Sequence, residues 1–465
     1  MISLSELASK KLHFIGIGGA GMSGLARIAL THGAQVSGSD EKDSSVLAAL
    51  SALGATVYSS HSAENVQGAD LVIYSNAISH SNSERVAAEK LNIPTYTRAQ
   101  ALALLMSESI SIAVAGTHGK TTTSSMLTVA LQACGVDPSF AIGGTISASG
   151  SNAHRGTGQY FVAEADESDG SFIEYKPFGA IVTNVEHDHV DYFATPADVT
   201  AAFEDFARTI SADGFLVYCA DDAGSLNLGR SMKDLKDIVS ISYGENVDSD
   251  LHIDQIELGA KGSRARALWK GKSIGHLELN VPGRHNIDNA AAALAVGLHL
   301  GLPVAGLLAG LASFAGTGRR FELKGTVHGI RVIDDYGHHP TEIRVTLEAA
   351  RRYAGDGRLL VIFQPHRYSR TQAFMSEFAS ALSLADDVTL LEVYAASEKP
   401  IPGISSEVIS QSMTNGRYVP NFVDATDAMI EMAKPGDVIM TLGAGDVSSL
   451  GPIIVDGLTK RFSSN

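Results

Sequence analysis

The sequence predicts an α/β fold of three domains built on doubly wound, mainly parallel sheets, and three observations support this. The chain has 465 residues, which suits about three domains at roughly 150 residues each. Short apolar runs alternate with helix-like stretches, the pattern of parallel strands covered by helices. Two glycine-rich turns, at 16–21 and 116–119, each join an apolar run to a helical pattern. Each such turn is typical of a nucleotide-binding strand, loop and helix.

The elements follow in chain order. A strand at 12–17, a helix at 22–30 and a second strand at 35–39 surround the first glycine turn. Further strands are predicted at the apolar runs 70–75, 110–115, 161–163, 180–185, 331–334, 358–364, 387–394 and 438–442.

Domain boundaries are predicted where this pattern restarts. A second strand, loop and helix at 111–130 indicates a new domain near residue 106, and the Gly/Thr-rich segment 314–318 indicates another boundary. The predicted domains are therefore 1–105, 106–314 and 315–465. Residues 289–318 contain no Asp, Glu, Lys or Arg, but Gly301 and Pro303 interrupt them. We interpret this stretch as two buried helices and not as a membrane span.

Composition limits the function. There are 35 Lys and Arg against 51 Asp and Glu, a formal charge of -16, so nucleic acid and anionic membranes are not expected partners. The two cysteines, Cys134 and Cys219, lie far apart without a paired-thiol spacing, which indicates neither a disulfide framework nor a zinc motif. Glycines interrupt the first apolar run, so a signal peptide is not expected. We therefore expect a cytoplasmic protein without membrane insertion.

The first glycine turn has the pattern G-x-G-x-x-G at Gly16, Gly18 and Gly21, with Asp40 after the next strand. Glycines let the backbone approach a pyrophosphate at a helix N-terminus, and the acidic residue can accept a ribose hydroxyl. A nicotinamide or flavin, another pyrophosphate ligand, or a purely structural turn all fit this motif. The motif indicates a pyrophosphate-containing ligand but does not identify a reaction.

The second turn carries Gly119, Lys120 and Thr121, typical of a loop that binds a nucleoside triphosphate and magnesium. It departs from the common phosphate-loop pattern because Val114 stands where the first glycine is expected. A chance Gly-Lys-Thr sequence is the alternative, and the strand and helix around it argue against that.

Two polar segments follow predicted strands. Residues 164–169 contain four carboxylates, which either bind magnesium through hard oxygen ligands or form a solvated loop. His187 and His189 lie beside carboxylates at 184–191; zinc, a surface histidine pair and metal-assisted phosphoryl chemistry all fit. Beside a phosphate loop, phosphoryl chemistry is the most economical interpretation.

Together these motifs resemble the Mur ligases. The resemblance rests on seven segments that run through all three predicted domains in the expected order: 16–24, 116–122, 164–172, 184–191, 283–289, 334–342 and 364–371. The combination is highly specific, although each motif by itself is not.

The resemblance implies a fold and an activity. The implied α/β fold has three domains: a Rossmann-like N-terminal domain, a central P-loop ATPase-like domain with a mainly parallel sheet, and a C-terminal Rossmann-like α/β domain. The N-terminal domain is expected to bind a UDP-sugar and the central one ATP, while the C-terminal domain closes over ATP and binds the amino acid. Mur ligases are cytoplasmic bacterial enzymes that form amide bonds in peptidoglycan synthesis. The implied substrates are ATP, UDP-N-acetylmuramate and L-alanine, with Mg²⁺.

The resemblance also implies site residues. The implied catalytic residues are Lys120, Glu164, His189, His338 and Arg367. The implied metal ligands are Thr121, Glu164 and His189. ATP binding is implied for Gly116, Thr117, His118, Gly119, Lys120, Thr121, Thr122, His285, Asn286, Asn289, Arg319 and Asp335. UDP-sugar binding is implied for Gly18, Gly19, Ala20, Gly21, Ser39, Asp40, Ser75 and Asn76. The amino-acid or muramyl carboxylate is implied to meet His366, Arg367 and Arg370.

Some alternatives stay open at this point. His285 and Asn289 could cap the following helix. Glu204, fifteen residues beyond His189, either replaces the carbamylated lysine of several Mur ligases or is a solvated helix carboxylate. A nicotinamide oxidoreductase, a nucleotide-dependent switch and the related ligase that recycles murein peptides are the competing functions. The oligomeric state and the selectivity among small amino acids do not follow from the sequence.

Overall fold

The computed structural model describes residues 4–233 and 237–463, which group into two compact units. The first unit comprises 1–185, 200–251 and 292–310, and the second comprises 186–199, 252–291 and 311–465. Each unit is therefore assembled from separate stretches of chain. The predicted boundaries near 106 and 315 stay a prediction.

The described residues form twenty-one strands. They are β1 (Lys11–Ile15), β2 (Gln35–Ser39), β3 (Thr56–Tyr58), β4 (Leu71–Tyr74), β5 (Thr95–Thr97), β6 (Ile110–Ala115), β7 (Ser139–Ile146), β8 (Ser151–His154), β9 (Tyr160–Glu164), β10 (Gly179–Val182), β11 (Gly214–Cys219), β12 (Ile238–Gly244), β13 (Leu251–Leu258), β14 (Ser263–Trp269), β15 (Lys272–Leu279), β16 (Glu322–Val327), β17 (Ile330–Asp335), β18 (Leu359–Phe363), β19 (Asp387–Leu390), β20 (Gly416–Tyr418) and β21 (Val438–Leu442).

The same residues form fifteen α-helices and three short 3₁₀ helices, the latter at Leu4–Ser9, Ser171–Tyr175 and Asp446–Ser449. The α-helices are α1 (Ala20–Thr31), α2 (Ser45–Ala52), α3 (Ser83–Lys90), α4 (Arg98–Met106), α5 (Lys120–Ala133), α6 (Pro196–Arg208), α7 (Ala223–Met232), α8 (Arg284–His299), α9 (Val304–Ser313), α10 (Pro340–Ala354), α11 (Tyr368–Ala373), α12 (Met375–Leu382), α13 (Ser406–Gln411), α14 (Phe422–Met432) and α15 (Leu450–Ser463).

The first unit begins with a five-stranded parallel sheet in the order β3-β2-β1-β4-β5. The strand order reverses between β1 and β4, and ligands of open α/β sheets bind at the carboxyl ends of the strands beside such a reversal. Ile15, Val66, Val72 and Ala88 pack as a core on this sheet. The first glycine turn follows β1 and therefore lies at the ligand-binding edge.

A second sheet in this unit has the order β12-β11-β10-β6-β9-β7-β8. The strand β6 lies between β10 and β9, parallel to both, and its last five residues are buried. The carboxyl ends of parallel neighbours meet at one edge. The turn after β6 is therefore adjacent to the segments that follow β9 and β10.

The second unit contains a sheet in the order β16-β17-β21-β18-β19-β20, parallel except for the β16/β17 pair. Apolar clusters cover both faces of this sheet, as parallel strands require. The strands β14 and β15 form an antiparallel pair in the same unit.

These elements confirm the predicted fold class. Every predicted strand is present, and the charge-free stretch forms α8 and α9, separated by the interruption at Gly301 and Pro303. None of the helices in the described ranges combines the length and the apolar character that crossing a bilayer requires.

Candidate active site

The first glycine loop presents backbone amides at the start of α1. Gly16 has φ +80°, a value that favours glycine. The amide of Gly18 donates to Asp40 Oδ2 at 2.9 Å, and a Cβ on Gly18 would lie 2.9 Å from the same oxygen. No side chain caps α1 at Gly19. Asp40 thus braces the loop, and the helix N-terminus can receive an anion.

A cavity of about 300 Å³ opens beside this loop. Its lining includes Gly19, Ala20, Gly21, Ser75, Arg98, Glu164 and Asp166. The guanidinium of Arg98 lies 3.5 Å from the hydroxyl of Tyr175, and its Cδ would lie 3.0 Å from a Cβ on Gly21. The cavity therefore places a cation and two carboxylates next to the glycine loop.

The remaining predicted UDP-sugar residues lie in the same unit. Ser39 donates its hydroxyl to a buried carboxylate on α3, that of Glu84. Ser75 accepts from the amide of Ala77, and Asn76 is hydrogen-bonded to Asp169. Ser75 lines the cavity.

The second glycine loop is fixed by its neighbours in the sheet. Gly116 has φ +131°, and a Cβ there would lie 2.0 Å from Thr183 Oγ1, so only glycine fits. Asn184 Oδ1 accepts from the amide of His118 at 2.8 Å, and Thr183 Oγ1 donates to the carbonyl of His118 at 2.6 Å. Gly119 has φ +83° and starts α5 without a side-chain cap.

Lys120 is held at the centre of this loop. Its Nζ donates to the carbonyls of Gly116 and Thr117 at 2.6 and 3.1 Å and pairs with Glu167 at 2.8 Å. Burial alone would lower the pKa of Lys120, but the neighbouring carboxylates, led by Glu167, outweigh it and raise the pKa. The side chain is therefore a fixed cation at neutral pH, as a phosphate group requires.

Thr121 and Glu164 supply hard oxygens beside Lys120. Thr121 Oγ1 donates to Glu164 Oε1 at 2.9 Å, while Glu164 Oε2 accepts from the amide of Gly143 at 2.7 Å. A hydroxyl and a carboxylate next to a phosphate loop are the ligands that Mg²⁺ prefers. These two residues therefore fit the predicted metal.

In the second unit, the segments after β10, β17 and β18 come together. Buried Asp188 accepts from Nε and Nη2 of Arg370 at 2.9 and 2.8 Å. Burial alone would raise the pKa of Asp188, but Arg370 outweighs it and holds the pKa far below its usual range. Arg367 pairs with Asp191, and Thr341 Oγ1 donates to Glu186 at 2.8 Å.

His189 has φ +51°, an uncommon conformation for a non-glycine residue. Its amide donates to Asp188 Oδ1 at 2.6 Å. The ion pair of Asp188 with Arg370 therefore anchors the turn that presents this predicted metal ligand.

Two histidines line the same cluster. The ring centroids of His338 and His366 are 6.0 Å apart, and His366 stacks on Tyr394. Burial lowers the pKa of His338 to about 3 and that of His366 to about 4. Both imidazoles are neutral at pH 7, so the arginines provide the positive charge of this cluster.

The predicted ATP-binding residues His285, Asn286 and Asn289 lie on α8. His285 and Asn289 are inside this helix, so neither is its N-cap, and the alternative that they cap it is wrong. Asn286 Nδ2 donates to the carbonyl of Pro282 at 2.7 Å. His285 Nδ1 is buried without a hydrogen-bond partner in the described part of the chain, and burial lowers the pKa of His285 to about 4.

Arg319 and Asp335 hold loops of the second unit. Arg319 Nη2 donates to the carbonyls of Gly443 and Gly445 at 2.7 and 3.2 Å. Asp335 accepts from the amides of Phe321 and Gly337, both at 2.8 Å, and burial raises the pKa of Asp335. Their predicted contact with a nucleotide stays a prediction.

Three family profiles match the chain in series. They are the Mur ligase family catalytic domain at 11–109, the Mur ligase middle domain at 114–297 and the Mur ligase glutamate ligase domain at 319–445. The chain belongs to the Mur ligase family.

This Mur ligase is similar over nearly its full length to curated and solved relatives. It is 48% identical to the UDP-N-acetylmuramate--L-alanine ligase of Paenarthrobacter aurescens, over 96% of this chain and 97% of the relative. The enzyme of that name from Saccharopolyspora erythraea is also 48% identical, over 96% and 93%.

Solved structures support the same grouping. The crystal structure of UDP-N-acetylmuramate-alanine ligase MurC from Thermotoga maritima has a TM-score of 0.82 at 30% identity, covering 98% of this chain and 100% of that one. A murein peptide ligase from Psychrobacter arcticus has a TM-score of 0.72 at 26% identity, covering 97% and 99%.

The structure adds residues that sequence motifs did not single out. Arg98 lines the cavity, Glu167 pairs with Lys120, and Asp188 binds Arg370. Glu167 and Asp188 lie within recognised segments of this Mur ligase, but spacing alone does not tell which carboxylate faces which cation. Arg98 follows a three-residue strand and carries no motif signal.

Proposed function

We propose that the chain is an ATP-dependent ligase that joins L-alanine to the lactyl carboxylate of UDP-N-acetylmuramate in peptidoglycan precursor synthesis. The observation that carries this proposal is the second glycine loop, with Lys120 and Thr121 held in it, beside a cavity lined by the first glycine loop. Near-complete coverage by relatives that bear the name UDP-N-acetylmuramate--L-alanine ligase supports the choice of substrates.

The reaction needs an activated carboxylate. A lactyl carboxylate oxygen attacks the γ-phosphorus of ATP, and the bond to the bridging oxygen breaks, giving ADP and an acyl phosphate. The amine of L-alanine then attacks the acyl carbon and loses a proton, and phosphate leaves as the amide forms. Bringing two anions together is the main barrier, so fixed positive charge is the main requirement.

Lys120 meets this requirement at the terminal phosphates. Its ammonium is already held in position by two loop carbonyls and by Glu167, so a bound phosphate meets a cation whose place is set by the loop. Thr121 and Glu164 would hold Mg²⁺ next to it, and we propose His189 as a ligand of a second Mg²⁺. Bound Mg²⁺ would neutralise charge between ATP and the carboxylate.

The first glycine loop is proposed to receive the UDP pyrophosphate. Gly18, Gly19, Ala20 and Gly21 are proposed to line this site at the start of α1, where the amide of Gly18 is already bonded to Asp40, with Ser39 and Asp40 on the uridine side. Arg98 lines the adjoining cavity and supplies the positive charge that a pyrophosphate or sugar-linked anion needs.

The arginine cluster of the second unit is proposed to capture a substrate carboxylate. Arg367 and Arg370 follow the buried strand β18, and their forked guanidinium groups match a carboxylate. His338 and His366 are neutral beside them, so they can accept hydrogen bonds from the amine of L-alanine.

We further propose the domain limits 1–105, 106–314 and 315–465, with the last domain closing over ATP. A bacterial cytoplasmic location follows from the proposed substrates, which are made and used there. ATP is the co-substrate, and we expect no partnership with nucleic acid.

Phosphate release tests the proposal. The purified chain is mixed with ATP and Mg²⁺, with and without UDP-N-acetylmuramate, and with L-alanine, glycine, L-serine or a murein tripeptide. Release that requires both UDP-N-acetylmuramate and L-alanine, with one amide per phosphate, is the expected result. Release with the tripeptide alone would assign the recycling reaction instead, and ATP binding without any turnover would favour a nucleotide-dependent switch.

A further inference from the structure

A buried carboxylate in the first unit is used by none of the proposed steps. Glu84 lies on α3 with its side chain fully buried, and its oxygens accept from Ser39, Asn65 and His61 at 2.5, 2.7 and 3.0 Å. Burial alone would raise the pKa of Glu84, but hydrogen bonds outweigh it and hold the pKa at about 2. A carboxylate stays ionised in a buried position only when several hydrogen bonds compensate for the loss of water, as they do here.

This network assigns the proton on His61. The single hydroxyl proton of Ser39 is donated to Glu84, so the hydroxyl oxygen can only accept from its other neighbour. His61 Nδ1 lies 2.9 Å from that oxygen and 3.0 Å from Glu84 Oε2. Both contacts require a proton on Nδ1. In the neutral imidazole, Nε2 is then a hydrogen-bond acceptor.

His61 also lies on the ligand-binding edge of its sheet. It follows β3, which pairs in parallel with β2, and β2 pairs with β1, which carries the glycine loop. In dinucleotide-binding sheets the pyrophosphate lies at the loop after the first strand, and the ribose lies at the end of the second. The base then extends toward the next strand, where His61 is partly exposed, with 13% of its side chain accessible.

We propose that Glu84 is a positioning residue that fixes His61 as a hydrogen-bond acceptor for the uracil N3–H. Uracil donates a hydrogen bond from N3, whereas cytosine has a lone pair there. An acceptor held at this place selects uridine over cytidine nucleotides, because the wrong base faces it acceptor to acceptor. This inference rests on the proposed UDP-sugar function and names the residue pair that reads the base.

A Glu84→Gln substitution separates positioning from simple structural support. The glutamine amide can donate to Nδ1, which allows the proton to move to Nε2 and turns that atom into a donor. The carboxylate shape and most packing are kept. The expected change is therefore in base preference, whereas a merely structural role would weaken all nucleotides equally.

The experiment measures UDP and CDP binding to the full chain by calorimetry. The unmodified protein is expected to prefer UDP by on the order of 100-fold, and Glu84→Gln is expected to reduce that ratio to within about 10-fold. His61→Ala removes the acceptor at a partly exposed position and is expected to lose the same preference, even if Glu84→Gln does not fold. Glu64→Gln, an exposed carboxylate on the same loop, is the matched control and is expected to keep the preference.

The outcomes separate this inference from the proposed function. If UDP-N-acetylmuramate supports phosphate release, but His61→Ala and folded Glu84→Gln keep the full UDP preference, the base-reading assignment is overturned and the ligase assignment stands. If the unmodified protein binds UDP and CDP equally, the inference is overturned as well. If phosphate release never depends on the sugar nucleotide, the proposed function fails by itself.

Discussion

Lys120 and Glu167 show how one residue pair serves both folding and binding. Glu167 is 1% exposed and its partner is the loop lysine. Removing a single partner of a buried ion pair leaves an uncompensated charge and typically costs several kcal/mol. The effect of a loop mutation on stability must therefore be separated from its effect on chemistry.

We predict that Lys120→Ala lowers ligase turnover at least about 100-fold and also lowers the free energy of unfolding by about 3 kcal/mol. The double variant Lys120→Ala with Glu167→Gln removes the unpaired charge, so it should regain much of the stability and none of the turnover. Denaturant unfolding and phosphate release measure the two effects. Near-normal turnover in either variant would contradict the assignment of Lys120.

Arg98→Gln is predicted to raise KM for the sugar nucleotide about 10-fold or more, because one charge-assisted contact is worth roughly 1.5–3 kcal/mol. KM for ATP should change little. Arg155→Gln is the control, since Arg155 is exposed and bonds the carbonyl of Thr31. An equal rise in KM for both substrates would argue against a sugar-nucleotide role for Arg98.

For individual residues, the sequence predicted which residue types form the site better than it predicted which side chains contact each other. The string 164–169 holds four carboxylates, and only folding places Glu164 on Thr121 and Glu167 on Lys120. Arg98 could not be found, because its neighbours in space, Gly21 and Tyr175, are distant along the chain. Contacts of this kind depend on how separate segments pack.

The turn after β6 is the element most restricted by its surroundings. Gly116 combines a positive φ with a virtual Cβ that overlaps Thr183 Oγ1. Gly54 has φ +100° with nothing within 4 Å of its Cβ position. A side chain at Gly54 would meet only backbone strain, whereas one at Gly116 would meet backbone strain and a steric clash with Thr183.

Gly116→Ala is predicted to lower the free energy of unfolding by about 3 kcal/mol and to weaken ATP binding, because the loop must move away from β10. Gly54→Ala should cost only about 1 kcal/mol. Thermal unfolding with and without ATP measures both variants. Equal losses in the two would show that crowding against Thr183 contributes nothing.

The buried parallel strands β6 and β18 were predicted because both of their faces are apolar. The strand β11 is buried along its whole length in the same way, but it was not predicted. The strands β13, β14 and β15 were not predicted. Their burial alternates along the chain, with charged side chains on the outer face, so no continuous apolar run marks them. The three-residue strands β3, β5 and β20 are half-buried and too short to give a periodic signal.

At the level of the whole molecule, buried histidines contribute to the stability that is lost in acid. The folded-state pKa of His285 is about 4, against 6.5 when it is free. Between these pH values, His285 binds a proton in the unfolded chain but not in the folded one. The contribution of His285 to the free energy of unfolding is therefore complete above pH 6.5 and is lost as the pH falls toward 4.

The predicted slope is up to about 1.4 kcal/mol per pH unit for each such histidine. Urea unfolding at pH 7 and pH 5 should show the loss, and His285→Gln should reduce it. His80→Gln is the control, because His80 is exposed on a surface turn. A slope unchanged by His285→Gln would contradict this account.

The fold class of the molecule was predictable from the sequence, but the grouping of chain segments into compact units was not. Repeated strand and helix alternation indicates doubly wound sheets wherever it occurs, and three such sheets formed. Linear reading of the chain cannot reveal that residues 186–199 group with 311–465, or that 292–310 group with the earlier stretches. Such grouping depends on long-range packing, which leaves no local periodicity.

The ion pair inside the phosphate loop has one more consequence. Before any nucleotide arrives, the ammonium of Lys120 is already neutralised by Glu167, so an incoming phosphate replaces one anion with another. The loop thus already holds an anion, the carboxylate of Glu167, at the ammonium that a phosphate would bind. A neutral nucleoside offers no anion to the ammonium of Lys120 and should bind more weakly than the corresponding nucleotide.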